Sequence, residues 1–256
     1  MALVRCGIVT LTTDFGTADG YAGAVRGAVL AAAPEVQVVD ITHEVPARSI
    51  RDGAFALLAA APLFPPGTVH LGVVDPGVGS ARRLLVVVDH GAQRVLVGPD
   101  NGLFSYLLDD ARTFEALEID LAGYPQASHT FHGRDILAPV AGRIAAGADP
   151  LKVGPPAADL VRLPPHREPV GAREGRVLRI DRFGNLVSTL QPVGGDVAVE
   201  VGGTRVRRSV KCYTDLGEGE TGWYVGSLGL IEVAVRDASA AERLRVTVDA
   251  HVRLVG

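Results

Sequence analysis

Residues 6–42 read CGIVTLTTDFGTADGYAGAVRGAVLAAAPEVQVVDIT, and their pattern is strand, polar turn, helix, strand. Cys6–Leu11 is a short apolar run, suited to a buried strand and too short for a helix. Tyr21–Ala33 is rich in alanine and carries Val25, Val29 and Leu30 on one side, a helix that Pro34 stops. Val36–Ile41 is the next strand. Outward from here the alternation continues, with a helix over Ile50–Ala61 and strands at Val69–Val74, Leu84–Asp89 and Arg94–Val97. A short helix over Asn101–Leu108 follows the Gly98–Gly102 turn, and another covers Ile136–Ala146. Strand–helix alternation of this kind predicts an α/β domain with a mostly parallel sheet.

The pattern then changes. Pro155, Pro156, Pro164, Pro165 and Pro169 crowd a segment with no helical periodicity, which reads as a stiff linker. Beyond Gly171 the apolar runs are short: Gly175–Ile180, Leu186–Thr189, Val197–Val201, Thr204–Val210, Leu230–Val235 and Val246–Leu254. They predict a smaller all-β, barrel-like domain. The expected division is 1–154 for the α/β domain, 155–171 for the proline-rich linker and 172–256 for the β domain.

Composition narrows the function. The chain of 256 residues is 47% hydrophobic and 21% charged, with a net charge of −4, a globular profile without the basic face a nucleic-acid binder needs. The densest basic cluster, Arg205, Arg207, Arg208 and Lys211, reads as the solvated side of a strand. Cys6 and Cys212 are far apart and lack metal-ligand spacing, so they read as free buried thiols of a reducing compartment. Ala54–Phe64 is too short to span a bilayer, and Met1–Cys6 runs into a strand without a signal-peptide pattern. A cytoplasmic protein that binds neither membrane nor nucleic acid is expected.

Open α/β sheets bind ligands beyond the carboxyl ends of their strands, and four polar clusters fall there. They are Thr12–Gly16 with Asp19, Asp75–Arg83, Gly98–Gly102 and His129–Asp135. Several members have plain structural readings: Asn101-Gly102 as a turn, Asp14 and Asp135 as caps, Arg134 as the partner of a nearby carboxylate, His132 as a satisfied buried imidazole. Asp75 resists such a reading, because it ends an apolar strand and a glycine-flanked loop returns Arg82 towards it. Asp, Arg and His together can strip and aim a water molecule. No GxSxG setting, P-loop or GxGxxG is present. Asp14 and Asp19 lack a third carboxylate for magnesium, so no metal is expected.

Seven stretches, LTTDFGTADGYAGAVRG, VVDITHEVP, VVDPGVGSARR, GPDNGL, TFHGRDILAP, IDRFGNLVSTL and GSLGLIEVAV, follow one another along nearly the whole chain. Together they resemble the S-adenosyl-L-methionine (SAM) hydroxide adenosyltransferases, relatives of the bacterial fluorinase and chlorinase. The resemblance implies an N-terminal α/β domain, a C-terminal β-barrel and a homotrimer with sites between neighbouring subunits. It implies hydrolysis of SAM to adenosine and L-methionine without a cofactor. Its Asp-Arg-His set falls on Asp75, Arg82 and His132, with Arg83 adjacent. Asp14 matches a ribose-hydroxyl ligand and Asp19 a nearby acidic position. Phe131 counts among the substrate contacts. Asp181 matches the ammonium ligand, Phe183 and Asn185 adenine contacts, and Ser227 a carboxylate contact. Backbone groups near Val235 and Asp237 would reach the adenine edge.

Departures from the halogenases favour water as the nucleophile. Those relatives have tyrosine at the positions of Asp75 and His132. The fluorinase also has an insertion after the strand near Leu84 that is missing here. An anionic Asp75 would repel a halide in a dry site. Two rivals remain from the sequence: a halogenase of the same architecture, and a nucleoside-binding module without turnover.

Overall fold

The computed structural model describes residues 4–256; Met1, Ala2 and Leu3, the beginning of the expected run into the first strand, lie outside the described residues. The chain divides into two compact units, the first ending at Pro164 and the second running from Pro165 to Gly256.

The first unit contains β1 (Ile8–Thr13), α1 (Tyr21–Ala32), β2 (Gln37–Thr42), α2 (Ile50–Ala60), β3 (Val69–Val73), β4 (Leu84–Asp89), β5 (Arg94–Pro99), α3 (Ser105–Asp109), β6 (Phe114–Glu118) and α4 (Ala138–Ala145). Its sheet runs β2-β1-β3-β5-β4-β6. The first four strands in that order are parallel, while β4 is antiparallel to both β5 and β6. Val9, Leu11, Leu71 and Val97 meet Val25 and Val29 of α1 and Ala141 and Ile144 of α4 in one core. Each such fully buried aliphatic side chain contributes roughly 1.5–3 kcal/mol. Because β1 has β2 on one side and β3 on the other, the strand order reverses there, the place where open sheets bind ligands.

The mostly parallel sheet matches the expectation, and the differences have local causes. β1 starts and ends two residues later than the apolar run suggested, so Asp14 directly follows it. The helix expected from Asn101 begins only at Ser105: Asn101 donates from Nδ2 to the Val74 carbonyl at 2.9 Å, and Gly102 sits at φ +97°. The helix expected from Ile136 opens earlier, as a π-helical turn over Gly133–Leu137. Strand β6 was not expected, since Phe-Glu-Ala-Leu-Glu is rich in helix formers; pairing with β4 overrides that preference.

The second unit contains β7 (Glu174–Ile180), β8 (Leu186–Ser188), β9 (Ala198–Val201), β10 (Thr204–Val206), β11 (Thr221–Val225), β12 (Ile231–Val235), α5 (Ala240–Leu244) and β13 (His251–Val255). Its antiparallel sheet runs β10-β9-β13-β7-β8-β12-β11. A bridge from Ser209 to Trp223 draws its two edges together, so it nearly closes into a barrel. Val177, Leu186, Val199, Ile231, Val233 and Val252 fill the interior. The strand expected over Val246–Leu254 begins only at His251, because Arg245 and Asp249 adopt left-handed conformations at φ +54° and +67°. The strand from Thr204 stops at Val206, so Arg205 alone of the basic cluster lies in a strand, although all four side chains are exposed. The thiols are free but not buried: Cys6 is half-buried and Cys212 is exposed.

The proline-rich stretch is hydrogen-bonded on both sides of the division. The Pro155 carbonyl accepts from Glu118 N at 2.9 Å, and Leu163 N donates to Ser105 Oγ at 2.8 Å, within the first unit. Glu168 N donates to the Thr189 carbonyl at 2.8 Å within the second. Among the described residues no helix is long and apolar enough to cross a membrane.

Candidate active site

Parallel pairing sets Thr13 of β1 level with Val73 of β3, so Asp14 and Asp75 leave the same edge of the sheet. The loop after β3 folds back tightly. Gly79 takes φ +80°, and a Cβ there would lie 2.6 Å from the His129 carbonyl, so this loop can rest on the His129–His132 loop only with glycine at 79.

The fold-back unites the three residues singled out above. Arg82 Nε donates to both Asp75 oxygens at 2.9 Å, and Nη2 donates to Oδ2 at 2.5 Å. Nη2 also lies 3.1 Å from His132 Nδ1. A guanidinium can only donate, so Nδ1 accepts and the neutral ring carries its proton on Nε2. The electrostatics agree: burial first, then the Arg82 charge, push His132 below its ordinary value. The Asp75 and Arg82 side chains are 5% and 9% exposed, too dry for either charge to stand alone. Arg82 Nη1 is buried and has no hydrogen-bond partner among the described residues, so one donor group on Arg82 remains for a further oxygen.

Arg83 is committed elsewhere. Its Nε donates to Asp100 Oδ2 at 2.8 Å and its Nη1 to the Ala158 carbonyl at 2.8 Å. The choice between the two neighbours therefore falls on Arg82. Arg134 takes the structural role read for it, whereas Asp135 is not the cap expected: it lies inside the π-helical turn, where Arg134 Nε donates to its Oδ1 at 2.6 Å and Ser128 N to its Oδ2 at 2.9 Å. The Arg134 hydrogen bond is the main cause that brings the Asp135 carboxyl down to about 2. Arg134 also stacks 4.8 Å over the Phe131 ring, which meets Phe15 and Tyr21 edge-on at 5.6 and 5.5 Å. This bracing fixes the loop that carries His132. Asp14 accepts from Arg48 N at 2.7 Å through Oδ2. Asp19 is exposed in the turn before α1, and no contact draws it to the trio.

In the second unit a cavity of about 730 Å³ is lined by Asp181, Phe183, Asn185, Tyr213, Tyr224, Asp237, Ala238 and Ser239. Four of the expected residues thus share one cavity. Asp181 shapes the loop between β7 and β8: Oδ1 accepts from Phe183 N at 2.8 Å and Asn185 N at 2.9 Å, and Oδ2 from Asn185 Nδ2 at 2.9 Å. Asn185 Oδ1 is buried without a partner. Phe183 is 72% exposed, a large apolar face beside the cavity. Val235 is fully buried, so only its backbone can serve a ligand, and its carbonyl accepts from Ala238 N at 3.3 Å. Ser227 is exposed in the turn joining β11 and β12. Tyr213 and Tyr224 were not foreseen. Tyr213 stands on a one-turn helix in an irregular segment, and its hydroxyl bonds both the backbone N and the carboxylate of Asp237.

A mostly parallel-sheet unit with a dry Asp-Arg-His cluster, followed by a near-closed antiparallel unit with an aromatic, carboxylate-lined cavity, defines the two-unit class of α/β protein to which the chain belongs. Family models for the SAM hydroxide adenosyltransferase N-terminal and C-terminal domains match residues 9–154 and 175–253, and the chain belongs to that family. It is 42% identical to the (R)-S-adenosyl-L-methionine hydrolase of Thermus thermophilus, over 96% of this chain and 99% of that one. A crystal structure of an uncharacterised conserved protein from Thermotoga maritima superposes with a TM-score of 0.87 at 31% identity, covering 97% of this chain and all of the other. The fluorinase of Actinopolyspora mzabensis is more distant, 26% identical over 91% of this chain and 92% of its own.

Proposed function

We propose that the protein hydrolyses SAM to adenosine and L-methionine, with water attacking the C5′ carbon of the ribose opposite the sulfonium. The observation that carries this reading is the buried Arg82 Nη1 donor, left open in the cluster that joins Arg82 to Asp75 and His132, a place for one oxygen. Asp75 is the acceptor for the water proton. Neutral His132 donates from Nε2 and fixes the orientation of the oxygen. Arg82 holds both partners and stabilises hydroxide character as it develops. Methionine leaves as a neutral thioether, so the leaving group needs no acid, and the reaction balances with water alone, without metal or cofactor. Loss of the sulfonium charge along the path favours the transition state in a site of low polarity.

Asp14 keeps Oδ1 for the ribose diol, since only Oδ2 is engaged by Arg48 N. Asn185 Oδ1 suits the exocyclic amine of adenine, and Phe183 offers a face for its ring. Asp181, Ser227 and the backbone near Val235 and Asp237 complete the binding set. Water is favoured over halide because a carboxylate as dry as Asp75 repels a second anion, and the hydrolase relatives are nearer in sequence than the fluorinases. A homotrimer, in which one subunit supplies the chemistry and its neighbour the cavity, accompanies this reading, as does a cytoplasmic setting that keeps Cys6 and Cys212 reduced. Incubation with SAM in ¹⁸O-water, with and without halide, tests it. Adenosine labelled at the 5′-hydroxyl is expected; a 5′-halo-adenosine, or intact SAM after long incubation, would overturn it.

A further inference from the structure

Asp14 lies in the turn that leaves β1, and the residues around it are tied to the segment that follows β2. Val45 N donates to the Thr13 carbonyl at 3.3 Å, and Gly16 N donates to the His43 carbonyl at 2.7 Å. Arg48 N, further along the same segment, holds Asp14 Oδ2. These links run through the backbone of residues 43, 45 and 48, whatever side chain stands at 43. The His43 side chain adds one of a different kind. It turns inward, only 6% exposed, and its Nδ1 lies 2.8 Å from Thr13 Oγ1.

The direction of each bond in this chain follows from its outer end. Asp40 of β2 pairs with Arg26 of α1, and its Oδ1 lies 3.2 Å from His43 Nε2. A carboxylate only accepts, so it favours the ring tautomer with the proton on Nε2. Nδ1 is then the acceptor, and the Thr13 hydroxyl donates to it. With its proton given to the ring, Oγ1 turns its lone pairs to Phe15 N, which donates to it at 3.3 Å. Thr13 is fully buried, so bulk water cannot replace the ring as acceptor. The imidazole therefore sets the rotor of the hydroxyl that joins Thr13 to Phe15 across Asp14. An apolar side chain at 43 would leave that buried hydroxyl proton unpaired, and the hydroxyl would find a new partner at the expense of Phe15 N.

We infer that His43 is a positioning residue for the sugar end of the site: acting through Thr13, it holds the turn that directs Asp14 Oδ1 towards a vicinal diol. The inference rests on the proposed SAM hydrolysis and on the place of Asp14 in it. The test measures, by calorimetry, binding of adenosine and of 2′,3′-dideoxyadenosine, which lacks the diol, together with SAM turnover. His43→Leu should weaken adenosine about tenfold and raise KM for SAM to match, a part of what a hydrogen bond to a charged group contributes. Binding of 2′,3′-dideoxyadenosine should stay unchanged, and kcat should stay within about threefold. His43→Asn, whose Oδ1 can stand in for Nδ1 as acceptor, should restore most of the preference for adenosine. In an Asp14→Ala background, His43→Leu should cost less than about a further twofold, because the group it positions is gone. Equal weakening of both nucleosides, no weakening of either, or the full loss persisting without Asp14 would overturn the inference, since a histidine that merely stabilises the fold cannot tell a diol from its absence. Should His43→Leu fail to fold, Thr13→Val removes the same hydroxyl link with little change of shape and should give the same diol-only loss; a loss shared by both nucleosides, or none, would again overturn it. Absence of SAM turnover in the unaltered protein would sink the hydrolase reading and this inference with it, whereas normal turnover beside an unaltered His43→Leu preference sinks the inference alone.

Discussion

The polar cluster of the first unit pairs its charges internally and holds only Arg82 Nη1 open among its buried atoms, whereas the cavity of the second keeps a wide wall open. Asp75, Arg82 and His132 satisfy one another through four contacts of 2.5–3.1 Å in a nearly dry place. In the second unit Asp181 is spent on its own loop, Asn185 Oδ1 is buried without a partner, and Phe183 lies open. Preorganised groups lower a barrier because nothing must reorient during reaction. Unfinished groups are completed by a ligand, which then gains affinity from them. Under the proposed hydrolysis the first unit would carry the chemistry, with Asp14 on the ribose, and the second most of the recognition, and each variant below either breaks that division or sharpens it.

The largest effect is expected at Asp75. Asp75→Asn keeps the shape and part of the hydrogen bonding to Arg82 but removes the proton acceptor, so kcat should fall about a thousandfold while SAM binding changes only severalfold. The same change leaves a buried guanidinium without its counter-charge, and thermal stability should drop with it. A loss of binding as large as the loss of rate, measured by calorimetry on the folded variant, would break the division.

Next comes acid. Buried His70 is pulled down to about 3, by desolvation first and by Arg94 second, and its Nδ1 lies 2.8 Å from Thr10 Oγ1. Its folded value lies below the unfolded value of 6.5, so the unfolded chain binds the proton first. Stability from this residue is complete above pH 6.5 and drains away as pH falls towards 3, by about 2 kcal/mol at pH 5. Glu232 has the opposite sign. Its value is raised above 4.5 by burial and Asp181, so its protonated form favours the folded state, and that contribution is lost as pH rises through the raised value. Amide exchange at pH 5 and 7 should therefore show the first unit loosening in acid more than the second. His70→Asn should remove most of that difference; an unchanged pH profile would show that His70 is not its source.

At Asn185 the effect is smaller and falls on affinity. Asn185→Leu removes the unmet Oδ1 and the hydrogen bond to Asp181, and KM for SAM should rise by ten- to thirtyfold, about 1.4–2 kcal/mol. Turnover at saturation should stay within a few-fold. A variant in which kcat collapses at full saturation would place Asn185 with the chemistry and blur the comparison.

The two sites were unequally legible in the sequence. Asp75 and Arg82 sit in the loop after β3, where a charged residue after an apolar run stands out, whereas His132 stands at the start of the π-helical turn over Gly133–Leu137. The sequence could not choose between Arg82 and Arg83, because adjacent residues differ only in the direction their side chains take. The structure separates them by giving Arg83 to Asp100 and the Ala158 carbonyl. In the second unit the Asp-Arg-Phe-Gly-Asn turn was readable, its Gly184 at φ +84° and its aspartate capping the loop. Glu232 drew no reading of its own, since alternation says which face a residue takes and nothing of what lies on it. Strand β11 was hidden by Gly222, which a strand rarely keeps; a Cβ there would lie 3.1 Å from the Arg208 carbonyl, a close approach that exists only in three dimensions. Helix α5 is too short for periodicity, although Ser239 accepting from Glu242 N at 3.1 Å is the S-x-x-E signature of a helix start.

The smallest effect probes whether recognition in the second unit depends on a tether within the cavity wall. The Tyr213 hydroxyl donates to Asp237 Oδ1 at 3.2 Å and accepts from Asp237 N, and Asp237 is held in the left-handed region at φ +58°. Aspartate tolerates that conformation better than most residues, but still at some cost. Tyr213→Phe keeps the ring and deletes the tether, so the loss is one hydrogen bond, about 1 kcal/mol. Because Asp237 lies in the segment expected to meet adenine through its backbone, SAM and 5′-methylthioadenosine should weaken together, by about fivefold, with kcat unchanged. Such a joint loss would mark Asp237 as a support of the nucleoside end of the cavity, since 5′-methylthioadenosine lacks the amino-acid chain. A SAM-only effect at Tyr213 would show that the two ends share one support.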